Sequence, residues 1–296
     1  MRVTNIMLTN NFLRNMYLNL RRLEAAQDQL ASGKKVRRPS DDPVRVVTSL
    51  ALRSDLGESG QYTRNIKDAR TWMEVTEGAL GNATEVLQRA RELALYGASD
   101  TLPQESREAL AREVEQLRDQ LGMIANTTLG GRYIFGGTRT NKPPYEGGPW
   151  AGNENEINYE IAPGVTIPVN CNGKAIFTAV AGVHDDVFQV LQNLADNLND
   201  PAKQGSDISA SVGEIDKVLD SIIATRGELG ARVNRAEMAL DRLQQSEVKQ
   251  TELLSLAEDA DIAEAIMDLK NQENVYRVSL ATGARIIMPT LVDFLR

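Results

Sequence analysis

Histidine and cysteine are almost missing from this 296-residue chain: His184 and Cys171 each stand alone. A single cysteine excludes an intramolecular disulfide and any paired-cysteine zinc or redox site. A single histidine removes nearly every metalloenzyme and every His-dependent triad. Aromatic residues make up only 5%. That argues against an aromatic-rich β-sandwich and for cores of Leu, Ile, Val, Ala and Met. No apolar run approaches the roughly 20 residues needed to cross a bilayer. The opening Met1-Arg2-Val3-Thr4-Asn5-Ile6-Met7-Leu8-Thr9-Asn10 carries neither a long apolar core nor a small-residue cleavage site, so no Sec-type signal is expected and synthesis is soluble and cytoplasmic. Positive charge is also short: 33 Lys plus Arg against 41 Asp plus Glu give a net charge of -8. A chain this acidic is poorly suited to coat nucleic acid or insert into a membrane. What is present is ordinary for a folded protein, 42% hydrophobic and 25% charged, with length for two or three domains.

Proline divides the chain into zones. Six of the ten prolines fall at positions 143, 144, 149, 163, 168 and 201, leaving Pro39, Pro43, Pro103 and Pro289 to the flanks. Each interior proline costs a helix roughly 3 kcal/mol, so the flanks admit long helices and the middle does not. The first helix carries a heptad: Ile6, Leu13, Leu20 and Gln27 in one register, Thr9, Met16, Leu23 and Leu30 in the other. It should stop at Ser32-Gly33. After the basic run Lys34 to Arg38, Asp42 is placed to cap a second helix whose first position is Pro43. That helix carries a seam of Ile66, Ala69, Met73, Thr76, Leu80, Ala83, Leu87, Ala90 and Ala94. A third, starting near Thr101-Leu102-Pro103, aligns Leu110, Val114, Leu117, Leu121 and Ile124. The clearest seam runs from Ile208 through Val212, Ile215, Leu219, Ile222, Arg226, Leu229, Val233, Ala236 and Leu240 to Leu243. A last helix, capped by Asp261 with Glu264 three residues on, presents Ile262, Ile266, Leu269, Tyr276, Leu280 and Ile287 before Pro289 interrupts it.

The middle zone alternates as strands do: Ile157, Tyr159 and Ile161, a Pro163-Gly164 turn, then Val165, Ile167 and Val169. Asn172-Gly173 reads as another turn, and Val187, Leu191, Leu194 and Leu198 as one face of a short helix. The expected architecture is mainly α: an elongated coiled-coil-like rod with paired N- and C-terminal helices and a small inserted β-rich (α+β) domain. Residues 1–43 with 256–296 form the terminal domain, 44–135 with 203–255 the rod, and 136–202 the insert.

Charge separates by zone as well. Residues 1–40 hold eight basic and two acidic side chains, residues 250–296 four basic and eight acidic. The two terminal helices are therefore complementary and should pair. Two helices alone bury little, and burial at about 25 cal/mol per Å2 does not easily offset their ordering entropy. Such ends are either floppy or completed by neighbouring chains, and terminal helices that need neighbours are a polymerisation device. The expected assembly interface is Ile6, Leu13, Met16, Leu20, Leu23, Leu30, Ile262, Ile266, Leu269, Tyr276, Leu280, Ile287 and Phe294.

Catalytic, metal and cofactor sites are not expected. His184-Asp185-Asp186 precedes a helix, where acids cap and favour the dipole. Cys171 has no basic partner in sequence and reads as an incidental small residue. Gly130-Gly131 and Gly136-Gly137 match no phosphate-binding pattern and free the backbone where helix passes into insert. The basic run Lys34 to Arg38 reads as a solvated loop or as a contact for an acidic partner surface.

Several segments together resemble the flagellin superfamily over essentially the whole chain: Arg2-Val3-Thr4-Asn5, Leu30-Ala31-Ser32-Gly33-Lys34-Lys35-Val36, Pro39-Ser40-Asp41-Asp42-Pro43, Ser279-Leu280-Ala281 and Leu291-Val292-Asp293-Phe294-Leu295. Gly131-Arg132-Tyr133-Ile134-Phe135-Gly136-Gly137-Thr138 is similar to the motif of the superfamily's junction members. The resemblance implies a structural component of the bacterial flagellum, a ring between hook-associated protein 1 and the flagellin filament. It also implies export through the flagellar type III apparatus without a cleaved signal, and a cytoplasmic chaperone on the C-terminal helix. A filament flagellin and a secreted coiled-coil binding or translocator protein are the alternatives; an enzyme is not expected.

Overall fold

The computed structural model describes residues 5–99, 102–178, 180, 183 and 186–287. These form seven helices: α1 (Asn5–Ser32), α2 (Pro43–Gly97), α3 (Gln104–Ala125), α4 (Gly173–Phe177), α5 (Val187–Asn199), α6 (Gly205–Glu258) and α7 (Ile262–Ile287). Two antiparallel hairpins join them, β1 (Thr128–Leu129) with β2 (Arg132–Tyr133) and β3 (Asn158–Ala162) with β4 (Val165–Pro168). The chain divides into two compact units, residues 1–58 with 245–296 and residues 59–244.

Helix boundaries follow local chemistry. Gly33 takes φ 67° where α1 ends, the left-handed C-terminal stop that the sequence predicts. Asp42 Oδ1 accepts from the amides of Val44 and Arg45 at 3.0 and 3.1 Å, satisfying the free start of α2. Asp186 Oδ1 does the same for α5 through Gln189 at 2.6 Å, and Asp261 Oδ1 for α7 through Ala263 at 2.8 Å. The capping reading of the His184-Asp185-Asp186 run thus holds at Asp186; His184 and Asp185 lie outside the described residues. One expected turn is corrected. Asn172-Gly173 starts α4 instead, because Asn172 Oδ1 accepts from Lys174 and Ala175 and so favours a helix start.

The larger unit holds the core. All nine seam residues of α2 from Ile66 to Ala94 are buried, as are Val114 and Leu121 of α3. On α6, Ile208, Val212, Ile215, Leu219, Ile222, Leu229 and Ala236 are buried, with Val233, Leu240 and Leu243 packed beside them. The polar member of that seam, Arg226, ends in the Glu77 carboxylate of α2 at 2.7 Å. Small residues on the α2 seam (Ala69, Ala83, Ala90, Ala94) leave space for neighbouring backbone, and larger α6 residues supply the bulk.

Five of the fourteen aromatic residues gather in one place. Phe135, Trp150, Phe177 and Phe188 form a chain of ring contacts at 5.3–6.1 Å, and Tyr145 stacks on Phe188 at 3.7 Å. Composition favours an aliphatic core, which describes the long helices; the insert is built around rings. Val187, Leu191, Leu194 and Leu198 of α5 are all buried, and α5 packs on α3. In β3 and β4 the inward residues are Ile161 and Ile167, with Gly164 at φ 70° turning the chain. Gly130 and Gly131, both at positive φ, make the two-residue turn between β1 and β2.

Candidate assembly surface

The smaller unit is built differently. Here α1 packs antiparallel on α7, and the backbone bridge between Lys34 and Asp259 closes the joint between them. The terminal helices pair as their sequences imply. The seam, however, differs from the expected one. On α1 the half-buried positions are Thr9, Phe12, Met16, Asn19, Leu23, Ala26, Gln29 and Leu30, so Phe12 and Asn19 take the places expected of Leu13 and Leu20. On α7 the inward positions are Ala265, Leu269, Gln272, Tyr276, Ser279 and Gly283. Two specific contacts set this register. Asn19 Nδ2 donates to Ser279 Oγ at 3.1 Å, and the Phe12 ring fills the space where a Gly283 side chain would stand. Neighbouring helix residues sit about 100° apart, so seating Phe12 and Asn19 turns Leu13 and Leu20 outward. Charge complementarity is not expressed as direct pairing: among the described residues, no ion pair joins α1 to α7.

Of the expected interface residues, Met16, Leu23, Leu30, Leu269 and Tyr276 are half-buried in this pair. Leu13, Leu20, Ile262, Ile266 and Leu280 are exposed by 38–47%. Ile6 and Ile287 lie within α1 and α7, and Phe294 lies outside the described residues.

The exposed apolar inventory is lopsided. Of twenty-three large apolar side chains open to solvent among the described residues, seventeen belong to the smaller unit, including Val44, Val47, Leu50, Leu256 and Met267. Among the described residues the smaller unit has two buried apolar side chains, Val36 and Ala265. A folded unit normally hides a contiguous apolar cluster, and such open apolar surface marks a contact surface.

A polar knot accompanies this surface. Glu258, the last residue of α6, has a side chain only 6% exposed. It accepts from Lys34 Nζ at 2.6 Å and from Arg53 Nε and Nη2 at 2.7 and 2.6 Å. Arg53 first, then Lys34 and the Ser49 hydroxyl, hold its carboxyl down at about 2 against the opposing pull of burial. Backbone bonds stitch the same spot: Lys35 N to Glu258 O at 2.6 Å and Ala260 N to Gly33 O at 2.9 Å. Asp41 Oδ2 accepts from the amides of Arg38 and Arg37, which lower its pKa. The basic run is thus a partly anchored loop, with Lys34 paired and Lys35, Arg37 and Arg38 exposed. Sequence reading missed Glu258, Arg53 and Ser49. The available signal is weak: the α6 seam continued through Gln250 and Leu254 passes beside Glu258, a charge facing inward that requires a partner.

Cys171 is buried in the larger unit, and burial pushes its thiol up to about 11. Among the described residues no helix is long and apolar enough to cross a membrane.

Comparison with known proteins fits this helical architecture. Residues 3–140 match the bacterial flagellin N-terminal helical region, a span running from α1 through the β1–β2 hairpin. Flagellar hook-associated protein 3 of Escherichia coli (strain K12) is 28% identical over 85% of this chain and 86% of its own length. Over most of its length the chain is similar to flagellins and their hook-associated relatives. A flagellin of Halalkalibacterium halodurans is 26% identical over 93% of this chain and 92% of its own. The flagellar junction protein of Legionella pneumophila has the same fold, with a TM-score of 0.60, 17% identity, and coverage of 73% of this chain and 100% of that one.

Proposed function

We propose that this protein is a structural, non-enzymatic subunit of the bacterial flagellum that forms the ring joining the hook side to the filament. The observation that carries this reading is that, among the described residues, the smaller unit buries only two apolar side chains and leaves seventeen large ones open. Sister copies, hook-associated protein 1 and flagellin are the partners that would cover them. Met16, Leu23, Leu269 and Tyr276 hold the terminal pair together, and Leu13, Leu20, Ile262, Ile266 and Leu280 face the neighbours. Burial supplied by the neighbour then offsets the entropy of ordering the ends, confining assembly to the growing tip. Residues 1–43 with 256–296 form the polymerising layer, 44–135 with 203–255 the rod and 136–202 the outer insert. The subunit leaves the cytoplasm through the flagellar type III apparatus without a cleaved signal, its C-terminal helix shielded by a chaperone.

Deletion of the gene should abolish filaments while flagellin accumulates free in the medium. Removing residues 1–30 or 270–296 should leave the larger unit folded and block incorporation. Incorporation of either truncated chain at normal levels would sink the proposal. The identity to flagellin over nearly the full chain supports a second reading, a filament subunit. Copy number separates them: few per flagellum for a junction, thousands for a filament.

A further inference from the structure

Burial within the smaller unit is not spread evenly. Besides Gly283, its buried residues among those described are Val36, Ser49, Glu258 and Ala265. All four lie at one place. Glu258 ends α6, Val36 follows the Lys34 that pairs with it, Ser49 lies one turn from Arg53 on α2, and Ala265 is in the first turn of α7. Three chain segments therefore converge on one carboxylate, which takes two hydrogen bonds from Arg53 and one from Lys34. Both terminal helices depart from this point: α1 ends at Ser32, two residues before Lys34, and α7 begins at Ile262, four residues after Glu258. Beyond it, α1 and α7 are held by half-buried side chains alone, apart from the Phe12–Gly283 contact.

We propose that the Glu258 joint is a preformed clasp that fixes α1 against α7 in register before a neighbour is engaged, so that order decays from the clasp toward the tips. This rests on the reading of the terminal helices as the assembly element, and adds how that element is presented. A buried carboxylate stripped of its donors is costly, whereas one fully satisfied specifies a single arrangement. Two neighbouring backbone bonds, from Lys35 to Glu258 and from Ala260 to Gly33, convert that local choice into an antiparallel register. The ends are then registered at their root, and a neighbour has only to order the tips.

The test is amide hydrogen exchange on the full chain as a dilute monomer. In the wild type, protection should peak at Lys35 and Ala260 and fall toward Met7 and Ala284. Glu258→Gln should lower protection at both clasp amides about ten- to a hundredfold, the effect of losing one charge-assisted hydrogen bond. The amides of α1 and α7 should follow. Lys34→Gln combined with Arg53→Gln removes both positive charges and should reproduce the result without touching Glu258. The two tryptophans, Trp72 and Trp150, belong to the larger unit, and their emission should not change. Protection in α1 and α7 that ignores both variants, or wild-type protection no higher at the clasp than at the tips, overturns the proposal. So does a shift in tryptophan emission, since the clasp would then not act locally. A chain lacking residues 1–30 that still polymerises would overturn the assembly reading while leaving the exchange result standing.

Discussion

Phe12 and Gly283 meet across the terminal helix pair with no room for another carbon: a β-carbon on Gly283 would collide with three atoms of the Phe12 ring. Gly283→Val should therefore wedge α1 from α7. Overpacking of this kind costs about 1–3 kcal/mol, and the better helix propensity of valine returns only a few tenths. The expected outcome is slower polymerisation and weaker exchange protection of both helices in the assembled protein. Combining Gly283→Val with Phe12→Leu should restore part of both. Equal protection in the single and double variants would show that the two residues do not communicate.

The opposite sign is expected at Gly213 in α6, where an added β-carbon meets nothing within 4 Å and the residue is exposed. Gly213→Ala relieves a helix interior of its least favourable ordinary residue and should stabilise the larger unit by about 1 kcal/mol. Urea unfolding followed by tryptophan emission measures this. A midpoint unchanged or lowered would contradict it.

Acid should open the smaller unit first. The Glu258 carboxyl lies at about 2 in the folded chain against an ordinary value of 4.5. A carboxyl depressed by folding contributes stability that is fully present above its unfolded value and disappears as pH falls toward the folded one. The window is therefore between about 4.5 and 2, with full clasp stability at neutral pH. Exchange at Lys35 and Ala260, corrected for the intrinsic pH dependence of amide exchange, should accelerate across that window, and the Glu258→Gln variant should show no such step. A wild-type chain whose clasp protection is flat down to pH 3 would contradict the assignment.

The sequence discloses the long helices because their signals are local and repeated. The α2 seam from Ile66 to Ala94 and the α6 seam from Ile208 to Leu243 each recur over many turns, so one odd member such as Arg226 does not hide the period. Caps at Asp42, Asp186 and Asp261 are equally local, since each side chain serves amides two or three residues away. The terminal seam is less legible. Apolarity alone selects Leu13 and Leu20, whereas Phe12 and Asn19 are chosen by Gly283 and Ser279, more than 250 residues away in sequence. Glu258 is hidden for the same reason: its partners Lys34 and Arg53 lie more than 200 residues earlier, and although Lys34 opens a marked basic run, no local pattern ties either residue to Glu258. Pairing of the two ends is visible in their apolar faces; the particular contacts require the three-dimensional arrangement.

Cys171 offers a probe of the larger unit alone. The thiol is buried, and burial raises it to about 11 while the nearby Arg232 pulls the other way. At pH 8 its thiolate fraction would be on the order of one part in a thousand, against roughly a quarter for a free cysteine. Alkylation by iodoacetamide should therefore be very slow in the native chain and should accelerate by orders of magnitude once urea unfolds residues 59–244. Gly283→Val and Glu258→Gln, which act on the smaller unit, should leave that native rate unchanged; a variant that alkylates like the unfolded chain would show that the damage had spread to the core. Because Cys171 is the sole thiol, the extent of labelling by mass gives the answer without a background to subtract.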